Sequence, residues 1–274
     1  MPAVLTVATA NVNGIRAAYR RGMGAWLDRA APDVLCLQEV RATDDVLCAH
    51  LGDGWHCAHS EPTHDGTRGR AGVAVASRLP VTAVRDVVGP AEFTGAGRWV
   101  EADVVTAAGE PLTVVSVYVH TGEAGTPRQQ QKMAFLDAML ARMAELRLDG
   151  RHVLVCGDLN IAHREADLKN WRGNLTRSGF LPDERALLDR LFGELGWVDV
   201  VRAHVTATRG DVAGPYSWWS WRGKAFDNDA GWRIDYQVAT PELAKRAQDA
   251  WVDRAPSYAE RWSDHAPVLV RYDV

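Results

Sequence analysis

The chain has 274 residues, 47% of them hydrophobic and 24% charged, which suits a globular protein with a substantial buried core. No apolar run approaches the length of a membrane span, and Met1–Thr6 lacks the basic segment and long apolar run of a secretory leader, so a cytoplasmic location and no membrane partner are expected. The net charge of −4 speaks mildly against a nucleic-acid partner, but the distribution of charge outweighs its sum, and Arg16, Arg20 and Arg21 cluster early while Arg164, Lys169, Arg172 and Arg177 cluster mid-chain.

In chain order, the Val-, Leu- and Thr-rich run Leu5–Asn11 predicts a first strand. A helix over Gly24–Ala30 follows and stops at Ala31-Pro32-Asp33. Strands are predicted next over Val34–Glu39, Gly72–Ser77, Trp99–Val105 and Thr113–Val119, the last two flanking Ala-Ala-Gly-Glu-Pro as an antiparallel hairpin. Gln129–Leu146 places Met133, Leu136, Leu140 and Met143 on one helical face. His152–Asp158 is a strand, and Pro182-Asp183-Glu184 opens a helix with Leu187, Leu188 and Leu191 turned inward. Trp197–Val201, Ser217–Trp221, Ile234–Thr240 and Ala266–Tyr272 complete the strand set. Hairpins mixed with crossover helices do not match a uniform βαβ barrel. They fit an α/β (α+β) domain over residues 1–274, in which two mostly antiparallel sheets pack face to face and are flanked by helices.

Cys36, Cys48, Cys57 and Cys156 form neither a CxxC pair nor a zinc-ligand spacing. Cys36 and Cys156 sit in apolar runs and read as core residues, and disulfides are not expected.

Five short constellations stand where strands end. Asn11-Val12-Asn13-Gly14-Ile15-Arg16 alone reads as an Asn/Gly turn. Gln38-Glu39 brings a carboxylate out of the buried run Val34–Leu37. In Val153–Asn160 an apolar strand runs through Gly157, which permits close backbone approach, to Asp158 and Asn160. There a carboxylate can position water and an amide can donate to charge developing on a phosphate oxygen, although an Asx turn would use the same residues. Asp235 lies inside the apolar run Ile234–Thr240 and must be paired to be tolerated there. Ser263-Asp264-His265 opens the terminal strand, where His265 is a candidate base that an aspartate such as Asp235 would orient. Oxygen donors without a His/Cys set suit a hard cation, with Glu39 and Asp264 as candidate ligands and Asn11 and Asp158 nearby.

Taken together and in this order, from Asn11 to His265, these motifs resemble the exonuclease III and apurinic/apyrimidinic endonuclease family of the endonuclease/exonuclease/phosphatase superfamily. The resemblance implies a four-layered α/β sandwich and Mg²⁺-dependent hydrolysis (Mn²⁺ as a substitute) of double-stranded DNA at abasic sites and at 3′ ends. It implies Glu39 as principal metal ligand with Asn11 beside it, Asp264 as a further metal-side carboxylate, and Asp158, Asn160 and His265 within reach of the ion. Asp158 would align the attacking water, Asn160 would be the transition-state donor, and Asp235 would hold His265 against the scissile phosphate. Tyr118 would be the catalytic tyrosine near that phosphate. Asn170-Trp171-Arg172-Gly173-Asn174 and the following Gly179–Arg185 are similar to a DNA-repair segment of the family, so Trp171, Arg172 and Asn174, with Arg16, are expected at the substrate. Tyr216–Trp221 and Gly231–Asp235 resemble the abasic-sugar pocket, with Trp218, Trp232 and Ile234 as walls. The chain departs from the family after Tyr118, where Val119-His120-Thr121 replaces the usual Pro-Asn or Pro-Gln, removing one expected phosphate contact unless His120 or Thr121 supplies it. A phosphatase acting on a small phosphoester or lipid headgroup and a non-catalytic nucleic-acid binder are the alternatives. The tryptophan-rich stretch argues against the first and the intact acid, amide and histidine set against the second. A monomer is expected.

Overall fold

The computed structural model describes residues 4–63 and 69–274. Among the described residues there are twelve strands: β1 (Val4–Asn11), β2 (Val34–Gln38), β3 (His56–Ser60), β4 (Val73–Ser77), β5 (Val81–Arg85), β6 (Trp99–Val105), β7 (Pro111–Tyr118), β8 (His152–Asp158), β9 (Val198–Asp199), β10 (Asp235–Ala239), β11 (Ala247–Val252) and β12 (Val268–Asp273). Seven α-helices accompany them among the described residues: α1 (Ile15–Arg20), α2 (Met23–Ala30), α3 (Asp44–Leu51), α4 (Pro127–Leu148), α5 (Pro182–Asp189), α6 (Val200–Arg209) and α7 (Pro241–Ala244). The strands form two six-stranded sheets, ordered β11-β12-β1-β2-β4-β3 and β5-β6-β7-β8-β10-β9. Each sheet contains one parallel pair, β1 with β2 and β7 with β8, and is otherwise antiparallel.

Side-chain alternation along the strands explains the layering. Val7, Cys36, Val73 and Val75 of the first sheet meet Val100, Ala102, Val114, Leu154 and Cys156 of the second in one central core. The opposite faces are also apolar. Ala8, Ala10, Leu35 and Leu37 are covered by Ile15, Trp26, Leu27 and Leu47, while Val115, Val153 and Val155 are covered by Leu136, Met139, Leu140, Leu187 and Leu191. Strands buried on both faces need continuous apolar runs, which is why β2, β4 and β8 were conspicuous in the sequence. The result is the expected sandwich of four layers, helix, sheet, sheet, helix. All four cysteines are free, with Cys36 and Cys156 buried. Among the described residues no helix is long and apolar enough to cross a membrane.

Two strand expectations are corrected. Trp197–Val201 keeps only the two-residue β9, because the Asp199 carboxylate accepts from the Arg202 backbone N–H at 3.1 Å and starts α6, with Val200, Val201 and Val205 buried on one face. Ser217–Trp221 is not a strand: the Ser217 and Trp218 N–H groups converge on one carbonyl, that of Trp232, at 2.8 and 2.9 Å, and only isolated bridges at Trp218 remain. The edge strands β3, β5 and β11 and the short helices α1, α3, α6 and α7 were not foreseen. The long helix begins two residues earlier than expected, with Pro127 in its first turn.

Candidate active site

Strand register brings the polar strand ends to one rim. Asn11 pairs with Gln38 at the ends of β1 and β2, Tyr118 with Asp158 at the ends of β7 and β8, and Asp158 with Asp235 where β10 begins. Gly157 lets this happen: at φ 151° its backbone lies so close to β7 that an added Cβ would stand 1.9 Å from the Val117 carbonyl oxygen. Past the strand ends the chain turns sharply, with Asn13, Glu39, Arg41 and Asn160 at φ between 48° and 52°. Asparagine tolerates that region, whereas at Glu39 and Arg41 it is strain held in place by surrounding bonds, a feature that gathers at functional sites.

One amide ties the two sheets together. Asn11 Nδ2 donates to Glu39 Oε1 and to Asp158 Oδ2, both at 2.9 Å, and Asn11 Oδ1 accepts from the Asn13 N–H at 3.0 Å. Asn13 Nδ2 in turn donates to Asp264 Oδ1 at 2.9 Å, and Trp218 Nε1 donates to Asp264 Oδ2 at 3.1 Å. Asp158 accepts from both the backbone N–H and the side-chain amide of Asn160, at 2.8 and 3.0 Å. The second Glu39 oxygen is held by Arg41. Asp235 is paired, as its burial requires: His265 Nδ1 lies 2.9 Å from Oδ2 and Ser217 Oγ donates to the same oxygen at 2.6 Å. Ser263 Oγ donates to the Asn11 carbonyl at 2.7 Å and fixes the loop that carries Asp264 and His265.

These arrangements set the charges. Burial pushes Asp158 up to about 8, with Asp235 and Glu39 adding repulsion and His265 and Asn11 opposing it. Burial alone would lower His265, but the adjacent Asp235 carboxylate, then Asp158 and Asp264, outweigh it and raise the imidazole to about 10. His265 is therefore a cation at neutral pH, held by Asp235 through Nδ1, with Nε2 3.8 Å from Asp158. That suits contact with a phosphate and disfavours the role of base. Burial and the facing carboxylates Glu39 and Asp158 also raise the Tyr118 hydroxyl, which stays protonated and able to donate.

Glu39, Tyr118, Asp158, Asn160, Asp264 and His265 line a single cleft of about 430 Å³, whose other walls include Trp218, Trp232 and Ile234. The two indoles meet edge to face, with ring centroids 6.3 Å apart. Asn11 and Asp235 stand directly behind this lining. Arg16, exposed on α1, borders a separate hollow with Arg41 and Glu61. Trp171 packs against the small cluster of Ala162, Leu168 and Phe180, with exposed Arg172 stacked over its ring at 4.3 Å. Asn174 faces a groove of about 850 Å³ that adjoins the cleft and shares Ser178, Trp218 and Trp232 with it. After Tyr118, Thr121 reaches the cleft and donates to Asn160 Oδ1 at 3.2 Å, whereas His120 turns away to contact Arg98 and the Arg128 carbonyl. Asn13, Arg41, Arg128, Ser178 and Gly179 also line the cleft and were not singled out as site residues. Asn13 lay in the first constellation, Gly179 in the segment similar to the family and Arg41 two residues beyond Glu39, whereas Arg128 and Ser178 carried no local signal.

The donor set fits a hard divalent cation. Three carboxylates that line one cleft, Glu39, Asp158 and Asp264, with the side-chain oxygens of Asn11 and Asn13 beside them, offer oxygen alone, and the repulsion of Asp158 by Glu39 is what a cation would relieve. Asp158, Asp235 and His265 also bring ligand atoms within 4.8 Å of one another, but both Asp235 oxygens are already engaged by His265.

The comparisons with known proteins agree with this geometry. The Endonuclease/Exonuclease/phosphatase family model matches residues 8–265. An exodeoxyribonuclease of Bacillus subtilis is 36% identical over 259 residues, covering 94% of this chain and 95% of the relative. Exodeoxyribonuclease III of Haemophilus influenzae is 28% identical over 276 residues, covering 96% and 97%. Among solved structures, an AP endonuclease from Archaeoglobus fulgidus aligns with a TM-score of 0.84 at 28% identity, covering 98% of this chain and 100% of that one. A Neisseria 3′ phosphatase bound to a product DNA hairpin aligns at 0.83 and 26%, with the same coverage. From the strand-end constellation and these likenesses, the chain belongs to the endonuclease/exonuclease/phosphatase family, on its exonuclease III and AP endonuclease branch.

Proposed function

We propose that this nuclease acts as one domain and as a monomer, hydrolysing DNA phosphodiesters at abasic sites and removing nucleotides or blocking groups from 3′ ends, with Mg²⁺ as cofactor and Mn²⁺ as a substitute. The observation that carries the reading is the cleft in which Glu39, Asp158, Asn160 and His265, held from behind by Asp235, face one another beside two tryptophans. Glu39 and Asp264, with Asn11 behind, would hold the cation, which neutralises charge on the phosphate. Asp158 would be returned to its ionised form beside that cation and would align the attacking water. Asn160 Nδ2 and the Tyr118 hydroxyl would donate to the phosphate oxygens. The His265 cation would face the phosphate through Nε2.

Trp218, Trp232 and Ile234 would form the slot that admits a sugar without its base. An intact nucleotide is too bulky for such a slot, and extrusion costs least where pairing is already lost. Thr121, in place of the family's amide, would alter the phosphate contact after Tyr118 and with it the balance between abasic cleavage and 3′ trimming. A labelled duplex panel (abasic, recessed 3′ end, 3′-phosphate) incubated with Mg²⁺, with and without chelator, tests the reading. Cleavage that chelator abolishes is expected. Release of phosphate from small esters with no cleavage of any duplex would transfer the chain to the phosphatase alternative.

A further inference from the structure

Behind Asn160 lies a fully buried ion pair that the chemistry above does not use. Lys132 on α4 and Glu184 on α5 have side chains 0% exposed, with Nζ 2.6 Å from Oε1. Lys132 Nζ also donates to the Asn160 carbonyl at 2.9 Å. Glu184 accepts four further hydrogen bonds. Gln129 Nε2 and Ser178 Oγ donate to Oε1 at 2.9 and 3.0 Å, while the Gly179 and Leu181 N–H groups donate to Oε2 at 2.6 and 3.0 Å; its Oε1 is thus shared among three donors.

The groups gathered there are those that shape the cleft. Ser178 and Gly179 form its wall. Gly179, at φ 94°, sits so close to the site that an added Cβ would stand 3.1 Å from both the Asn160 carbonyl and the Trp232 ring. A charge pair without water contact is a poor device for stability, because two well-packed apolar residues of similar volume usually do as well or better. Its geometry is nevertheless rigid. One lysine and one carboxylate fix a catalytic loop, a wall loop and two helices relative to one another.

We propose that Lys132 and Glu184 are a positioning pair that holds Asn160 and the Ser178–Gly179 wall in register with the scissile phosphate and the sugar slot. This inference rests on the functional reading above. Removing the pair shifts the Asn160 donor and loosens the wall without touching the cation ligands or the outer DNA-binding surface.

The test is the double variant K132M/E184Q, which removes both charges at nearly constant volume, assayed on the abasic duplex with Mg²⁺ after its cooperative melting has been verified. A fall in kcat of at least tenfold is expected, with KM within about threefold of wild type and unchanged duplex binding in chelator. A kcat less than threefold below wild type, or a change confined to KM, overturns the inference. If the double variant does not melt cooperatively, Q129M decides. It removes a single bond to Glu184, and a kcat loss of at least threefold at unchanged KM is expected, a smaller loss again overturning the inference. Wild-type protein in the same assay separates the two levels: no cleavage of any duplex would sink the functional reading, and the positioning role with it.

Discussion

At the scale of single residues, the site is a chain of buried polar groups in which each neighbour sets the next. Asp235 makes His265 a cation, and removing its charge should change a pH profile as well as a rate. With His265 raised to about 10, wild-type activity should not lose the imidazolium below roughly pH 9. In Asp235→Asn the imidazole returns toward or below its ordinary value of about 6.5, so the cation is lost as pH rises through neutrality. The kcat/KM profile of the variant should therefore fall between about pH 6 and 8, and a profile that keeps the wild-type shape would remove the pair from the mechanism. Glu39 differs, because on the proposed reading its carboxylate would hold the cation. Glu39→Ala should lower kcat by roughly 100-fold or more, since Lewis-acid stabilisation is worth several kcal/mol and each 1.36 kcal/mol is a factor of ten. Duplex binding measured by anisotropy should persist, and unchanged cleavage would exclude Glu39 as principal ligand.

At the scale of elements, the residues legible in the sequence were those announced by a local pattern. Asn11, Glu39 and Asp158 each interrupt or follow an apolar run, and a strand's exit into solvent is written in consecutive residues, whereas Tyr118 reads as an ordinary strand aromatic and was singled out only through the family resemblance. Asp235 could be read because a carboxylate inside Ile234–Thr240 had to have a partner. Arg128 had no such sign: it enters the cleft from the first turn of α4, and only tertiary packing decides where that helix begins. Edge strands β3, β5 and β11 are partly exposed and weakly patterned. Ser217–Trp221 misled because its aromatics line a loop bridged to Trp232 and His265 without forming a ladder.

That loop depends on another buried network. Arg233 Nε donates to Asp167 Oδ1 at 2.7 Å and Arg233 Nη2 lies 2.8 Å from Asp199 Oδ2, so the side chain is drawn inward while its neighbour Trp232 faces the cleft. Burial would raise Asp167, but Arg233 and then Arg202 hold it well below the usual carboxylate range. A depressed folded value means that this stabilisation is complete above about pH 4 and is lost as pH falls toward the folded value. Asp167→Asn should cost about 3–5 kcal/mol at pH 7, the usual penalty for removing one partner of a buried pair. In urea unfolding, the gap to wild type should narrow from pH 4 downward. A gap constant with pH would mean that the loss is one of packing and not of charge.

At the scale of the molecule, the acidic total and a polyanionic substrate are reconciled by placement. Asp158 and Asp264 are confined to the cleft, where a bound cation would neutralise them, Arg41 and Arg128 line the same cleft, and exposed Arg172 and Arg177 stand on the 171–178 segment beside it. Arg128→Ala should weaken duplex binding about equally across sequences and reduce the slope of log K against log salt by about 1. A slope equal to wild type would place Arg128 away from the phosphates.

The pairing of β1 with β12 in the middle of the first sheet has a consequence for synthesis. Asn11 is polymerised 254 residues before His265, an interval of roughly 13–50 s at ribosomal speeds. Once β2 is made β1 has a partner on one edge, but its other edge waits for β12, and His265, the group proposed to face the phosphate, does not yet exist. The growing polypeptide thus has one unsatisfied strand edge, and on the proposed mechanism the late pairing of β12 both seals that edge and completes the site.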